Sequence, residues 1–408
     1  MTRIRHGNVA MRFKIETTEG VDAAPGAVDA FPFEVDSVEY NGPYRSEASQ
    51  EANGSLAAAA PLVIGQAVEV TFRVRIKGAG AGSTYSASIR PPHHALLQAC
   101  GWRGLFTAAV ASTALASGTV NSATLAAPFA ATAQIYRGMP LALTGGSSGG
   151  RIAHVTDYTA ARAATLTDAF GTALGATVNA ALPANWTYAP TSPADLSARA
   201  ADHPSGTLYI YEDGVLRKFV GLRGSVDFAG ETARPGFMTF RFMGNYLGKS
   251  DVARPADTVP QHTAPTLAIG SSGVDSSVLL NHMPIAVRNW QLGMNQAMEV
   301  SDDPNTPFGF GPAEISRRAG TLTLDPIDTL VSVRNVIADI EAGTRYPAVI
   351  RCGTAAGNRW SLTTPLTQPA DVSPGRRGIF RTEELSLLTL NSGVDPQTRD
   401  SDAVLCFY

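Results

Sequence analysis

The chain has 408 residues, 44% of them apolar and only 16% charged, with 39 glycines, 26 prolines and a formal net charge of −3. At ~150 residues per domain this length predicts two or three domains. The apolar content excludes a disordered chain, and the near-neutral charge provides no basic footprint for gripping a nucleic acid backbone. The glycines lack the strict period of collagen, and no run of about 18 apolar residues is present to span a membrane. Met1–Gly7 carries charge but no apolar stretch, unlike a signal peptide. Cys100, Cys352 and Cys406, odd in number and far apart, fit neither a disulfide framework nor a zinc site. The expectation is a soluble, intracellularly made, multi-domain protein.

Period-two alternation dominates. Phe33–Tyr40 reads as a first strand. From Val68 to Ile76 every even position is apolar and every odd one polar, which predicts a half-buried antiparallel strand. His93–Cys100 follows Pro91-Pro92 and precedes Gly101, the signature of a short helix. Two strands meet at Asp213-Gly214 within Leu208–Phe219, a pair that tolerates the positive φ of a tight hairpin. Phe237–Met243 is apolar on both faces and so reads as a central strand. In the C-terminal part, Ile285–Leu292, Gly320–Leu324 and Arg381–Leu390 read as strands, and Ala348–Cys352 with Arg359–Leu362 reads as a hairpin. Asp328–Ile340, apolar at helical spacing and ending before Gly343, reads as a second helix.

These elements come in the same order twice: strand, long polar loop, strand, helix, hairpin, strand. A repeated order implies two copies of one β-rich unit. The expected division is 1–105 with 204–250 for the first unit, 106–203 for an insertion, 251–277 for a linker and 278–408 for the second unit. The insertion is rich in Ala and Thr and contains strand, glycine turn and strand across Tyr136–Tyr158, with a third strand at Ala164–Thr167. A structureless loop of about 100 residues is implausible inside a compact domain, so a small surface β module is expected. The linker is marked by Pro255, Pro260, Pro265, Gly270 and Gly273.

Chemical motifs are sparse. Gly145–Gly149 matches G-x-S-x-G around Ser147, but the residues after it alternate like a strand where a nucleophile elbow needs a helix. Lys77–Ser83 is glycine-rich but lacks the G-K-[ST] ending of a phosphate loop. His93 and His94 would point about 100° apart on a helix, with no ligand at i+4. Ser301–Thr306 lacks the glycine and the glutamate of a calcium loop. No catalytic, cofactor-binding or metal-ligating residue is assigned, no cofactor is expected, and an enzyme is not the expected reading.

Taken in order, Phe13–Ala30, His94–Trp102 and above all Tyr209–Phe228 with the following Pro235–Tyr246 resemble the tail tube proteins of long-tailed bacteriophages. The likeness is good over residues 10–104 and 205–250 and looser over the second unit; the insertion departs from the family plan, and its Tyr136–Gly146 stretch resembles small β modules appended to phage proteins. The fold class implied is mainly β: two tandem tail-tube-like β-sandwich or barrel units, each with a short helix, plus a small inserted β domain. The function implied is structural: rings stacked into the hollow tube of the virion tail, made in the bacterial host cytoplasm. Partners implied are further copies of the chain and the tape measure, terminator and distal tail proteins. Genomic DNA would pass through the lumen without specific binding. With two units per chain, a homotrimer would give a pseudo-hexameric ring, which is favoured here; with one unit per chain, a homohexamer would be needed. Loops Pro43–Gln66 and Met294–Ser316 are expected to reach the next ring and order on stacking. The lumen wall is expected neutral to acidic, and the insertion is expected to point outward. The alternative is a carbohydrate- or receptor-binding β protein acting through the insertion, whose candidate aromatics are Tyr136, Tyr158, Trp186 and Tyr188; a hydrolase using Ser147 would lack partners.

Overall fold

Alternating burial along Val68–Arg75 organises the first half of the molecule: Val68, Val70, Phe72 and Val74 point into the core, and the residues between them face outward. The computed structural model describes residues 5, 7–52, 54, 57, 59–267, 277–306 and 308–408. The chain opens with β1 (Val9–Ile15), β2 (Glu39–Tyr40), β3 (Tyr44–Glu47), β4 (Leu62–Gly65) and β5 (Val68–Arg75), followed by α1 (His94–Ala99) and β6 (Trp102–Thr107). The expected first strand is shorter than Phe33–Tyr40, because a 3-10 turn at Val35–Ser37 interrupts it.

Seven strands then form a sheet of their own: β7 (Val110–Ala114), β8 (Ser117–Gly118), β9 (Ser122–Thr124), β10 (Pro140–Thr144), β11 (Ile152–Tyr158), β12 (Ala163–Leu166) and β13 (Asn179–Leu182). Their order is β7-β13-β10-β11-β12-β9-β8, around a separate core that includes Met139, Leu141, Val155 and Leu166. β14 (Asn185–Pro190) falls within the span expected for the insertion, yet it pairs with β6 and leaves this sheet for the main one.

The first unit resumes after α2 (Leu196–Asp202) with β15 (Gly206–Glu212), β16 (Val215–Glu231) and β17 (Phe237–Asp251). Asp213 and Gly214, between β15 and β16, have φ of 43° and 102°, the positive values the sequence predicted for this turn. β17 lies between β16 and β5, so it is central as expected, but its burial alternates: Met238, Phe240 and Phe242 are buried and Arg241 is exposed, so one face alone enters the core.

The rest of the chain supplies β18 (Ser277–Leu280), β19 (Met283–Pro284), β20 (Asn289–Gly293), β21 (Ala297–Asp302), β22 (Phe310–Arg317) and β23 (Thr321–Leu324). After α3 (Val336–Ala342) come β24 (Tyr346–Cys352), β25 (Trp360–Arg377), β26 (Phe380–Thr389) and β27 (Val404–Phe407). The helix expected from Asp328 begins only at Val336. The Asn335 side chain accepts a hydrogen bond from the Ala338 N–H at 3.2 Å and starts it there, while Leu330 and Val331 sit in an exposed turn. Gly343 ends the helix in the left-handed conformation, φ 62°.

Pairing gives the duplication a definite form. The first unit has strand order β2-β5-β17-β16-β15-β1, and the second has β20-β23-β26-β25-β24-β18. Each position in one list has its counterpart in the other, and every pair is antiparallel. The class is mainly β with few helices. β20 joins the units by pairing with β16, so one sheet runs through both. β27 pairs with both β25 and β14. One buried core holds side chains of both units: in the first, Phe72 stacks on Phe240 and Phe242 with ring centroids 5.7 and 5.8 Å away, and in the second, Trp290 meets Trp360 at 5.9 Å.

The described part of the linker segment, 251–267, packs against both units. Asp257 pairs with Arg12 at 2.6 Å, the Lys77 ammonium donates to the Pro260 carbonyl at 2.7 Å, and the Asn358 amide donates to the Thr263 carbonyl at 3.0 Å. The expected linker residues 268–276 lie outside the described residues, as do Leu56 and Ala58 of the first long loop.

Candidate functional site

The sequence motifs resolve into structure. Ser147 is exposed in a 3-10 turn between β10 and β11, its hydroxyl donating to the Ala173 carbonyl at 3.1 Å, and a strand follows it as the alternation predicted. The Lys77–Ser83 loop packs on the loop around Gly357; the Tyr85 hydroxyl donates to the Gly357 carbonyl at 2.9 Å. His93 is fully buried, and burial lowers its imidazole from 6.5 to about 3; His94 is lowered to about 4 by burial and contacts the Tyr188 hydroxyl at 2.8 Å. Both rings are therefore neutral packing groups near pH 7. Asp303, in the acidic stretch, accepts from the backbone N–H of Asn305 at 2.9 Å and shapes a hairpin loop. Among the described residues no group of three or more His, Cys, Asp or Glu is placed to hold a metal ion, and no helix is long and apolar enough to cross a membrane. The insertion's aromatics Tyr136, Tyr158, Trp186 and Tyr188 are all buried, so they serve as core and not as contact surface.

The geometry that stands out is the joint between the units and its counterparts. In the joint, Phe228, Ala229, Gly230 and Glu231 of β16 pair with Leu292, Gln291, Trp290 and Asn289 of β20. A Cβ on Gly230 would lie 2.6 Å from the Trp290 ring, so only glycine lets that indole close over the strand. Asp227 accepts the Met294 N–H at 2.9 Å, and Arg288 pairs with Glu231 at 3.0 Å. Strand order identifies the corresponding edges elsewhere. β25 plays the part of β16, and its segment Asp371–Arg377 pairs with β26 on one side and with no strand on the other among the described residues. β2 plays the part of β20, and among the described residues it pairs with β5 alone. The molecule thus contains one made joint and the two unmade halves of a second.

Each unit also carries a hairpin arm at the same place, β3–β4 in the first and β21–β22 in the second. The second arm folds across the first unit. The Arg223 guanidinium donates to the Ala313 carbonyl at 2.6 Å, the Asn245 amide to the Phe310 carbonyl at 2.9 Å, and the Gln296 amide to the Cys100 carbonyl at 2.9 Å. Arg199 pairs with Glu314 at 2.5 Å. Arg223 also pairs with Glu19 and is 2% exposed. The first arm, by contrast, is exposed along β3 and over Leu62 and Val63 of β4. Tyr44 at its base meets Phe308 of the other arm, ring centroids 5.3 Å apart.

The insertion is fastened to the second unit by a buried ion pair. Arg351 on β24 makes two parallel hydrogen bonds of 3.0 Å to Asp168, and its guanidinium also donates to the Ile152 carbonyl and the Ser277 hydroxyl. Sequence reading missed both the joint and this anchor, since neither residue pair is close in the chain. No protein-family model matches the chain, and no curated protein matches it.

Proposed function

We propose that this chain is a tail tube protein of a long-tailed bacteriophage, which builds the hollow tube through which DNA passes. The observation that supports this reading best is the joint. Two units of one strand order are already joined edge to edge by β16 and β20, and the matching edges at β25 and β2 stand unpaired. Repeating the same operation between chains adds β2 of one to β25 of the next, a heterologous contact that generates a ring when the rotation closes. Such a contact also pairs main-chain groups that an open sheet edge leaves as a template for aggregation. Three chains, each with two units, then give a pseudo-six-fold ring, and rings stack into a tube. The resemblance of Tyr209–Phe228 and its flanking segments to tail tube proteins supplies the biological setting.

Negative-stain electron microscopy of the purified chain, with mass measurement of the smallest oligomer, tests this. Rings or tubes with an open bore, built from trimers, are expected. A population of monomers that stays monodisperse at high concentration overturns the proposal.

A further inference from the structure

The two units differ in the cover over one face of their longest strands. On β16, Arg223 and Ser225 are nearly inaccessible, and Arg223 is held by the Ala313 carbonyl of the β21–β22 arm together with the His203 carbonyl and Glu19. The shared strand order puts Gln368 and Asp371 of β25 in those places. Asp371 is exposed, Gln368 is half-buried, and the Gln368 side chain makes no hydrogen bond among the described residues. Beside them Leu388 of β26, the counterpart of Met243, is 44% exposed. The other features of the covered face are present as well. α3 ends at Gly343 in the left-handed conformation beside Gln368, as α1 is followed by left-handed Gly101 beside His203 and Ile315. Among the described residues, the second unit therefore has a matching face on which Asp371 and Leu388 are left exposed.

The first arm has the complementary problem. An isolated two-stranded ribbon is at best marginally stable in water, yet β3–β4 projects with Leu62 59% exposed. Counting ladder pairs from the base of each hairpin, Leu62 and Ile64 stand where Ala313 and Ile315 stand in the second arm. Alternation puts both on one face of the ribbon, the face that in the second arm meets Arg223 and Gly101.

We propose that the β3–β4 arm of one chain docks on the β25–β26 face of a second copy, covering Gln368, Leu388 and the end of α3, in the same way that the β21–β22 arm covers the first unit of its own chain. The proposal rests on the ring reading above and deepens it. It makes the first arm a clasp between neighbours in one ring, continuous with the β2–β25 joint because β2 leads directly into β3.

The test mixes chains carrying Leu62→Cys with chains carrying Gln368→Cys under mild oxidation, the native cysteines all being buried. A disulfide-linked dimer in isolated single rings, absent from either variant alone, is the expected result. No cross-link in rings that form normally, or a cross-link confined to stacked tubes, overturns the clasp while leaving the ring intact. A wild-type chain that never forms rings overturns both. Independently, Leu62→Asp changes a surface residue and leaves the fold unchanged by circular dichroism. It buries an unpaired charge at the interface, so the concentration needed for ring formation rises by roughly tenfold or more. Wild-type assembly by the folded variant would contradict the docking.

Discussion

In the first unit, β16 has a strand on one side throughout, a partner on the other at both ends, and an arm over its outer face. In the second unit the corresponding strand, β25, is paired on both sides only as far as Thr367, and beyond that its edge and outer face are open. The strand order is the same and the surroundings are not. The edge of the first unit's long strand is met by β20 from within the chain, whereas the matching edge of the second meets no strand among the described residues; on the proposed reading, another chain meets it. The largest test of the comparison is to break the made joint. Trp290→Ala removes a side chain that is 2% exposed and packed between Gly230 and Trp360. The loss expected is about 3–5 kcal/mol, read as a lower denaturant midpoint, and ring formation should fall with it. An unchanged midpoint would mean that the units are stable without their contact.

A second perturbation separates the insertion from the repeat. The first unit holds the insertion through the continuous chain and the β6–β14 pair, whereas the second holds it through Arg351 and Asp168. Arg351→Ala leaves the Asp168 carboxylate buried without its cation, at a cost of roughly 3–5 kcal/mol. Differential hydrogen exchange should show the loss concentrated in β10–β12 and β24, with the β16–β20 joint protected as before. The paired replacement Arg351→Met with Asp168→Leu should recover most of it, because no uncompensated charge remains.

Acid distinguishes α1 from α3. Unfolded, the His93 imidazole takes up a proton near its ordinary value of 6.5; folded, burial defers this to about 3. Between those values the unfolded chain binds more protons, so stability is intact above pH 7, falls as pH drops through 6.5, and continues to fall towards pH 3. From pH 7 to pH 5 the expected loss from His93 is about 2 kcal/mol, and His94, also lowered by burial, acts in the same direction. α3 carries no histidine. The acid-induced increase in exchange should therefore appear around α1 before α3, and His93→Gln should flatten the dependence of the urea midpoint on pH. Equal acid sensitivity of the two helices would count against burial as the cause.

Much of this was legible in the sequence where the signal is local. Alternation from Val68 to Arg75 and the Asp213-Gly214 turn fixed β5 and the β15–β16 hairpin, and the doubled order of elements anticipated the doubled topology. Local signal failed where partners are distant. β1 shows Met11 and Phe13 at alternate positions, and Val404–Phe407 is a short apolar run, but nothing near either announces pairing with β15 or with β14 and β25. The helix before Val336 was overpredicted because Leu330, Val331 and Val333 keep helical spacing, although all three are exposed in the folded chain. The candidate site was least legible, since an unpaired edge is a property of sheet order and not of any motif.

The smallest expected effect concerns the strength of the unmade joint. Taking Tyr40 as the counterpart of Leu292, the ladder places Val372 where Val226 stands and Pro374 where Phe228 stands. Pro374 has no N–H to give, and the neighbouring Val372 N–H is already held by the Asp371 carboxylate at 2.9 Å. Proline and self-satisfied donors are the usual means of blunting a sheet edge, so the joint between chains should be weaker than the joint within one. Pro374→Thr restores the missing donor on a surface position, with an expected gain in association worth about 0.5–1.5 kcal/mol per joint and little change in the melting of the isolated chain. Sedimentation should show rings at lower concentration than wild type. Association that stays the same would mean that the Asp371–Arg377 edge meets no strand in the assembled state, and the ring would then have to close through another surface.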